Sequence, residues 1–94
     1  MGRFKKSTNF MITFVKDYLS GDSDRLTWDL DFNHYLIEHY PKMEREDPEL
    51  AECFAFYLSD QGFDRAEHLP DDEHKEFIRK QFEMFNAALY DGLG

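Results

Sequence analysis

Residues 7–21, STNFMITFVKDYLSG, decide the fold of this chain. Apolar and aromatic side chains recur in this segment at intervals of three and four, which places them in two adjacent rows on one side of a helix. These residues are Phe10, Met11, Phe14, Val15, Tyr18 and Leu19. Gly21 follows them, and glycine readily adopts the left-handed conformation that ends a helix. We therefore predict a first helix from about Ser7 or Thr8 to Ser20.

The next segment predicts a second helix, which Asp22, Ser23 or Asp24 would cap and which Pro41 would end after Tyr40. It has two apolar stripes on opposite sides: Leu26, Leu30, Ile37 and Tyr40 form one, and Trp28, Phe32, Tyr35 and His39 form the other. Such a helix suits a central place in a bundle or a surface shared with a second copy, so the Trp28 stripe is a possible dimer face. Residues 26–32 also alternate as in a strand, but no second strand is evident, and we favour a helix.

Two further helices complete the predicted fold. Asp47 and Pro48 mark the start of the third, which we expect Gly62 to end, with a loop at 63–69. Pro70 and Asp71 open the fourth, and Gly92 and Gly94 end the chain. The stripe of this last helix consists of Phe77, Ile78, Gln81, Phe82, Phe85 and Leu89. Residues 1–94 thus predict a single all-α domain, an antiparallel four-helix bundle, with residues 1–6 as a frayed basic N-terminus.

The net charge of the chain is concentrated in one stretch. Residues 44–73 contain 11 acidic residues and only two basic ones, Arg45 and Arg65, so they account for the whole formal charge of −9. Acids and bases balance in the segments on either side. A concentrated field of one sign attracts a partner of the opposite sign.

The third helix concentrates this charge around an aromatic residue. At 100° per residue, Glu49, Glu52 and Asp60 lie on the side away from the apolar stripe, and Phe56 lies among them. An exposed aromatic residue with an acidic rim is typical of a protein interface. Further acids would extend this partner-binding surface: Asp64, Glu67, Asp71, Asp72 and Glu73. Two other interpretations remain open at this point: the loop at 63–69 could cover Phe56, or the acids could serve only solubility.

The sequence argues against several other classes of function. Neither a nucleophile motif nor a glycine-rich phosphate loop is present, so we expect no catalytic residues and no cofactor. Asp31-x-x-His34 and Asp71-x-x-His74 resemble metal-ligand spacings, but no matching inward Glu pair is evident, and we expect no metal. Cys53 lies among apolar residues and predicts a buried, inert thiol. Because Lys and Arg cluster only near the N-terminus, we expect no direct binding of nucleic acid.

The chain also contains no apolar run long enough to cross a bilayer and no signal-type segment. We therefore expect a cytoplasmic protein with no membrane partner.

Three short motifs carry a family resemblance. The end of the first helix, Tyr18-Leu19-Ser20-Gly21, the acid-proline start Asp47-Pro48-Glu49-Leu50 and the acidic start of the last helix, Asp71-Asp72-Glu73, are together similar to those of the colicin-D-type bacterial immunity proteins. The resemblance implies a small, acidic, cytoplasmic four-helix bundle. It also implies a protein that binds the catalytic domain of an RNA-cleaving toxin, with carboxylates at the site that would hold tRNA phosphates.

The leading hypothesis is therefore a non-enzymatic immunity or inhibitor-type protein that binds a basic partner, such as a nuclease toxin, through its acidic surface. The second is a small structural or regulatory module that forms a homodimer through the Trp28 stripe. The third is a metal-binding bundle that uses His34, His74 and nearby acids.

Overall fold

The computed structural model describes residues 5–89, and these form four helices and no strand. Helix α1 comprises Lys6–Ser20, α2 Arg25–Glu46, α3 Pro48–Phe54 and α4 Asp71–Ala88, with a π-helical segment Ala55–Asp64 continuing α3. Helix α1 packs along α2, and the π-helical segment packs along α4. The predicted all-α four-helix bundle is confirmed. Most of the frayed N-terminus and the glycines at 92 and 94 lie outside the described residues.

Helix α1 and its connection to α2 follow the predicted signals. Gly21 has φ 92°, and its N–H donates to the carbonyls of Asp17 and Tyr18. A residue with a Cβ is strained in that conformation, so glycine is required for the turn. Among the three candidate caps of α2 it is Asp24 whose carboxylate accepts a hydrogen bond, from the Thr27 N–H at 2.9 Å. The Thr27 N–H and, second, the Thr27 side chain lower the pKa of Asp24.

The predicted end of α2 at Tyr40 is wrong, because the helix continues through Pro41 to Glu46. Proline has no N–H, so the helix loses the hydrogen bond to the carbonyl of Ile37, four residues earlier. Both Pro41 and Ile37 are exposed. Water can therefore solvate that carbonyl, and the helix gains six more residues that reach the N-terminus of α1.

Gly62 does not end the third helix as predicted. It lies inside the π-helical segment, and helical structure continues to Ala66, which reduces the predicted loop at 63–69 to a turn at 67–70. Gly62 is buried, and a Cβ there would lie 3.1 Å from the Tyr57 carbonyl oxygen and 3.2 Å from Cδ1 of Ile78. This glycine therefore allows close packing of the segment on α4 rather than a change of direction.

The core is aromatic and centres on α2. Trp28 and Phe32 are fully buried, and their rings stack at a centroid distance of 4.5 Å. The predicted dimer face therefore needs correction: Trp28 and Phe32 pack inside the monomer, while Tyr35 and His39 are half-buried against Phe10 of α1. The exposed apolar stripe of α2 is the opposite one, where Leu26, Leu30 and Ile37 are 64%, 67% and 69% exposed.

Two charged side chains at the ends of α2 join distant parts of the chain. The Arg25 guanidinium donates to the carbonyls of Leu69 and Glu67 at 2.8 and 2.9 Å, and so holds the turn before α4. The Glu46 carboxylate accepts hydrogen bonds from the Ser7 and Thr8 N–H groups and from the Thr8 hydroxyl, at 2.7–2.9 Å. These N–H groups belong to the first turn of α1, which has no cap of its own.

None of the helices in the described part of the chain is both long enough and apolar enough to cross a membrane.

Candidate functional site

Phe56 is exposed, as the helical pattern predicts. Its side chain is 47% exposed, and it lies one helical turn after Glu52 and one turn before Asp60, both of which are exposed. Glu49 is exposed on the preceding turn. The interpretation in which the loop covers Phe56 is therefore wrong, because residues 63–66 are helical and leave the ring accessible. We call Glu49, Glu52, Phe56 and Asp60 the acidic Phe56 surface.

Glu44 of α2 lies near the acidic Phe56 surface. Burial raises the pKa of Tyr40, and the charges of Glu44, Glu52 and Asp60 raise it further. Acids from α2, α3 and the π-helical segment therefore lie close to one hydroxyl group. Their mutual repulsion is not offset within the described residues, because none of the three forms an ion pair there.

The remaining predicted binding residues lie at the turn before α4 or at its start, apart from Asp64 at the end of the π-helical segment. Asp71 forms an ion pair with Arg25 at 3.3 Å, and the Asp72 carboxylate accepts from the Glu73 N–H at 2.9 Å. Arg25 and Tyr40 are 15 residues apart in α2, which corresponds to about 22 Å along the helix axis. The acids near Arg25 therefore form a second group, in which some carboxylates already serve the fold.

The two candidate metal motifs do not converge. His34 is exposed on α2, whereas His74 is buried and its Nδ1 shares a 2.6 Å hydrogen bond with the Tyr18 hydroxyl. Burial, with the nearby charge of Arg25, lowers the pKa of His74 to about 4. Within residues 5–89 no three His, Cys, Asp or Glu side chains lie close enough to hold a metal ion.

Cys53 is half-buried, and burial raises the pKa of its thiol. A thiol with a raised pKa contains little thiolate at neutral pH, which makes it a poor nucleophile.

A basic groove lies where α1 begins and α2 ends, and the sequence analysis did not predict it. Its volume is about 850 Å³, and its lining includes four cationic side chains. These are Lys5, Lys6, Lys42 and Arg45, and we call the site the basic groove. The two pairs are separated by more than 35 residues in the chain, so only the packing of α1 on α2 brings them together. One sequence signal was available: Lys42 and Arg45 are three residues apart and share a helix face once α2 is known to continue past Pro41.

The aromatic part of the groove is preformed. The ring of Phe10 stacks on His39 at a centroid distance of 4.4 Å and contacts the edge of Tyr35 at 5.2 Å. Phe10 nevertheless remains 40% exposed.

The groove also contains two carboxylates, those of Asp17 and Glu46. Partial burial acts to raise the pKa of Glu46, but the hydrogen bonds from Ser7 and Thr8, with a contribution from Lys5, outweigh it and lower the pKa. The carboxylate is thus ionised at neutral pH and already bound to the start of α1.

No family profile, curated protein or solved structure matches this chain.

Proposed function

We propose that this protein is a non-enzymatic, immunity or inhibitor-type protein that binds a basic protein partner through the acidic Phe56 surface. The partner class that fits best is a nuclease toxin domain, whose positive cleft normally holds nucleic-acid phosphates. A single observation carries the proposal: a large aromatic ring is half-exposed among carboxylates that have no cationic partner within the described residues.

The chemistry of this surface supports such a role. Interfaces commonly place an aromatic anchor at the centre and charged groups at the rim, where charge speeds encounter and selects the partner. Glu52 and Asp60 lie on either side of Phe56 along the helix, so a basic cleft could enclose the ring while its cations meet both carboxylates.

The proposal is tested by co-purification from the source cells at low and at high salt. The wild-type protein should retain a basic protein at low salt and release it as salt screens the contact. The variant Glu52→Lys/Asp60→Lys should retain none. Recovery of no basic protein, or equal recovery by this variant, would refute the proposal.

A matched control changes the same amount of charge elsewhere. Glu38 on α2 and Glu83 on α4 are exposed, and neither makes a side-chain hydrogen bond or ion pair within residues 5–89. Glu38→Lys/Glu83→Lys should therefore retain the partner. If it releases the partner as fully as Glu52→Lys/Asp60→Lys does, total charge and not the acidic Phe56 surface explains binding.

A second candidate function is self-association of a small structural or regulatory module. The observation that favours it is the exposed stripe of Leu26, Leu30 and Ile37, since aligned aliphatic side chains of this size are often covered by a partner. Light scattering of the wild-type protein and of Leu30→Glu/Ile37→Glu tests this candidate. A dimer that the substitution dissociates supports it, and a wild-type monomer refutes it. Trp28→Glu is unsuitable for this test, because Trp28 is in the core.

A further inference from the structure

We propose that the basic groove binds a nucleoside phosphate, with the phosphates at the four cations and the base on the ring of Phe10. This site is separate from the acidic Phe56 surface and does not depend on the proposed function. The residues that carry it are the Lys5–Lys6 pair, Lys42, Arg45, Phe10 and His39.

The charge of the groove is available to an anion. None of the four cations forms an ion pair within the described part of the chain. Two carboxylates, Asp17 and Glu46, also line the groove, and Glu46 is held by the Ser7 and Thr8 N–H groups, at 2.9 Å each. Lysine and arginine side chains that converge from the start of α1 and the end of α2, and that form no ion pair within residues 5–89, are suited to bind phosphate oxygens.

The ring of Phe10 indicates that the ligand carries a base in addition to its phosphates. Phe10 is four residues after Lys6 in α1, which corresponds to about 6 Å along the helix axis. This spacing resembles the separation that a ribose puts between a base and its 5′ phosphates. His39 stacks on Phe10 and the residue remains 40% exposed, so part of the ring is accessible to a base. Stacking of a base on an aromatic ring contributes about 1–3 kcal/mol.

The overall charge favours a small ligand over a nucleic-acid strand. The groove volume of about 850 Å³ is within the range of about 300–1,000 Å³ that is usual for small-molecule sites. A strand that extended beyond the groove would approach a protein whose formal charge is −9 and whose Glu44, Glu52 and Asp60 lie on the other side of α2. Phosphates outside the groove would therefore be repelled, whereas those of a mononucleotide would meet only the groove.

Titration calorimetry with ATP, without divalent metal, tests the proposal. Because the groove is open, we expect a modest dissociation constant of about 100 µM or below. Adenosine and tripolyphosphate each provide half of the ligand and should bind at least about tenfold more weakly than ATP. The absence of ATP binding up to about 2 mM would overturn the proposal. Tripolyphosphate that binds as tightly as ATP would overturn the role of Phe10, and a single-stranded oligonucleotide that binds more tightly would overturn the choice of a small ligand.

Three variants locate the site. Lys42→Gln/Arg45→Gln should weaken ATP binding at least about tenfold. Phe10→Leu should reduce the affinity for ATP to that of the wild-type protein for tripolyphosphate. The control Lys16→Gln/Lys80→Gln removes two exposed positive charges from outside the groove and should leave ATP affinity unchanged. Thermal unfolding followed by circular dichroism verifies that each variant is folded. Equal losses in the control and in Lys42→Gln/Arg45→Gln would show that ATP binds elsewhere or through net charge, and would contradict the proposal.

Discussion

The two ends of α2 use charge in different ways. At the first end, the Arg25 side chain is only 14% exposed and its donors are occupied by two carbonyls and by the carboxylates of Asp29 and Asp71. At the other end the Glu46 carboxylate likewise accepts hydrogen bonds from the protein, but the charged side chains around it have no such partners among the described residues. Lys42 and Arg45 lie on one side, Glu44, Glu52 and Asp60 lie on the other, and none of them forms an ion pair within residues 5–89.

This difference separates charges that hold the fold from charges that are available for binding. The acids near Arg25 are part of a hydrogen-bonded junction, so removing them should cost stability. The acids near Tyr40 repel one another, so removing them should cost binding alone. Substitutions at the two ends of α2 should therefore differ, from a large loss of stability at Arg25 to almost none at Glu52 and Asp60.

Arg25→Ala should lower the free energy of unfolding by about 3 kcal/mol, because it leaves the carbonyls of Glu67 and Leu69 without their donors and releases the turn before α4. Arg25→Lys should recover little of this, since an ammonium group does not reproduce the fork of the guanidinium. Chemical denaturation measures both. Arg65, which is exposed and donates to Gln61 alone, provides the control, and Arg65→Ala should cost under about 0.5 kcal/mol. Equal losses of unfolding free energy for Arg25→Ala and Arg65→Ala would contradict the view that the charge of Arg25 holds the fold.

Glu46→Ala should lower the free energy of unfolding by about 2 kcal/mol, because two N–H groups of α1 and the Thr8 hydroxyl lose their acceptor. Glu49→Ala, on the acidic Phe56 surface, should have almost no effect. Thermal and urea denaturation compare the two. A Glu49→Ala loss as large as that of Glu46→Ala would show that the exposed acids also hold the fold.

Stability should decline by about 1–2 kcal/mol as the pH falls from about 6.5 to 4, because of His74. Burial first, and the charge of Arg25 second, lower its pKa in the folded protein to about 4. The unfolded chain therefore binds the proton over this range and the folded chain does not, so the contribution is complete above pH 6.5 and is lost below it. The variant His74→Gln cannot titrate there. Urea denaturation as a function of pH should show a smaller decline for this variant, and an identical decline would contradict the assignment.

Glu52→Lys/Asp60→Lys should change the free energy of unfolding by less than about 0.5 kcal/mol. Both side chains are exposed, and neither forms a hydrogen bond or ion pair in the described part of the chain. Differential scanning calorimetry at low salt measures the change. A loss above about 1 kcal/mol would show that these acids are structural, against the view that they are available for a partner.

The features that the sequence predicts best are those whose residues are close together along the chain. The rows of α1, the left-handed Gly21 and the position of Phe56 between Glu52 and Asp60 all follow from intervals of three or four residues. The positions of Pro41 and Gly62 were misread as helix ends. Tertiary packing decides both cases: the Ile37 carbonyl that Pro41 leaves without a donor is exposed to water, and Gly62 packs closely against Ile78 of α4.

Features assembled from distant segments were missed for the same reason. Neither the junction at Arg25 nor the basic groove has a local signature, since each joins residues that are about 35–45 positions apart. The two stripes of α2 were recognised correctly, but only the packing of α1 shows that the Trp28 stripe is the buried one. Sequence periodicity fixes the faces of a helix but not which face a neighbour covers.

The dissociation constant of the complex with the recovered basic partner, measured with and without tRNA as a competitor, tests the central claim most directly. If the carboxylates around Phe56 occupy a cleft that holds phosphates, tRNA should raise the apparent dissociation constant, and Glu52→Gln/Asp60→Gln should raise it at least about tenfold. Glu38→Gln/Glu83→Gln should leave it unchanged. A complex that is insensitive both to tRNA and to Glu52→Gln/Asp60→Gln would contradict the claim.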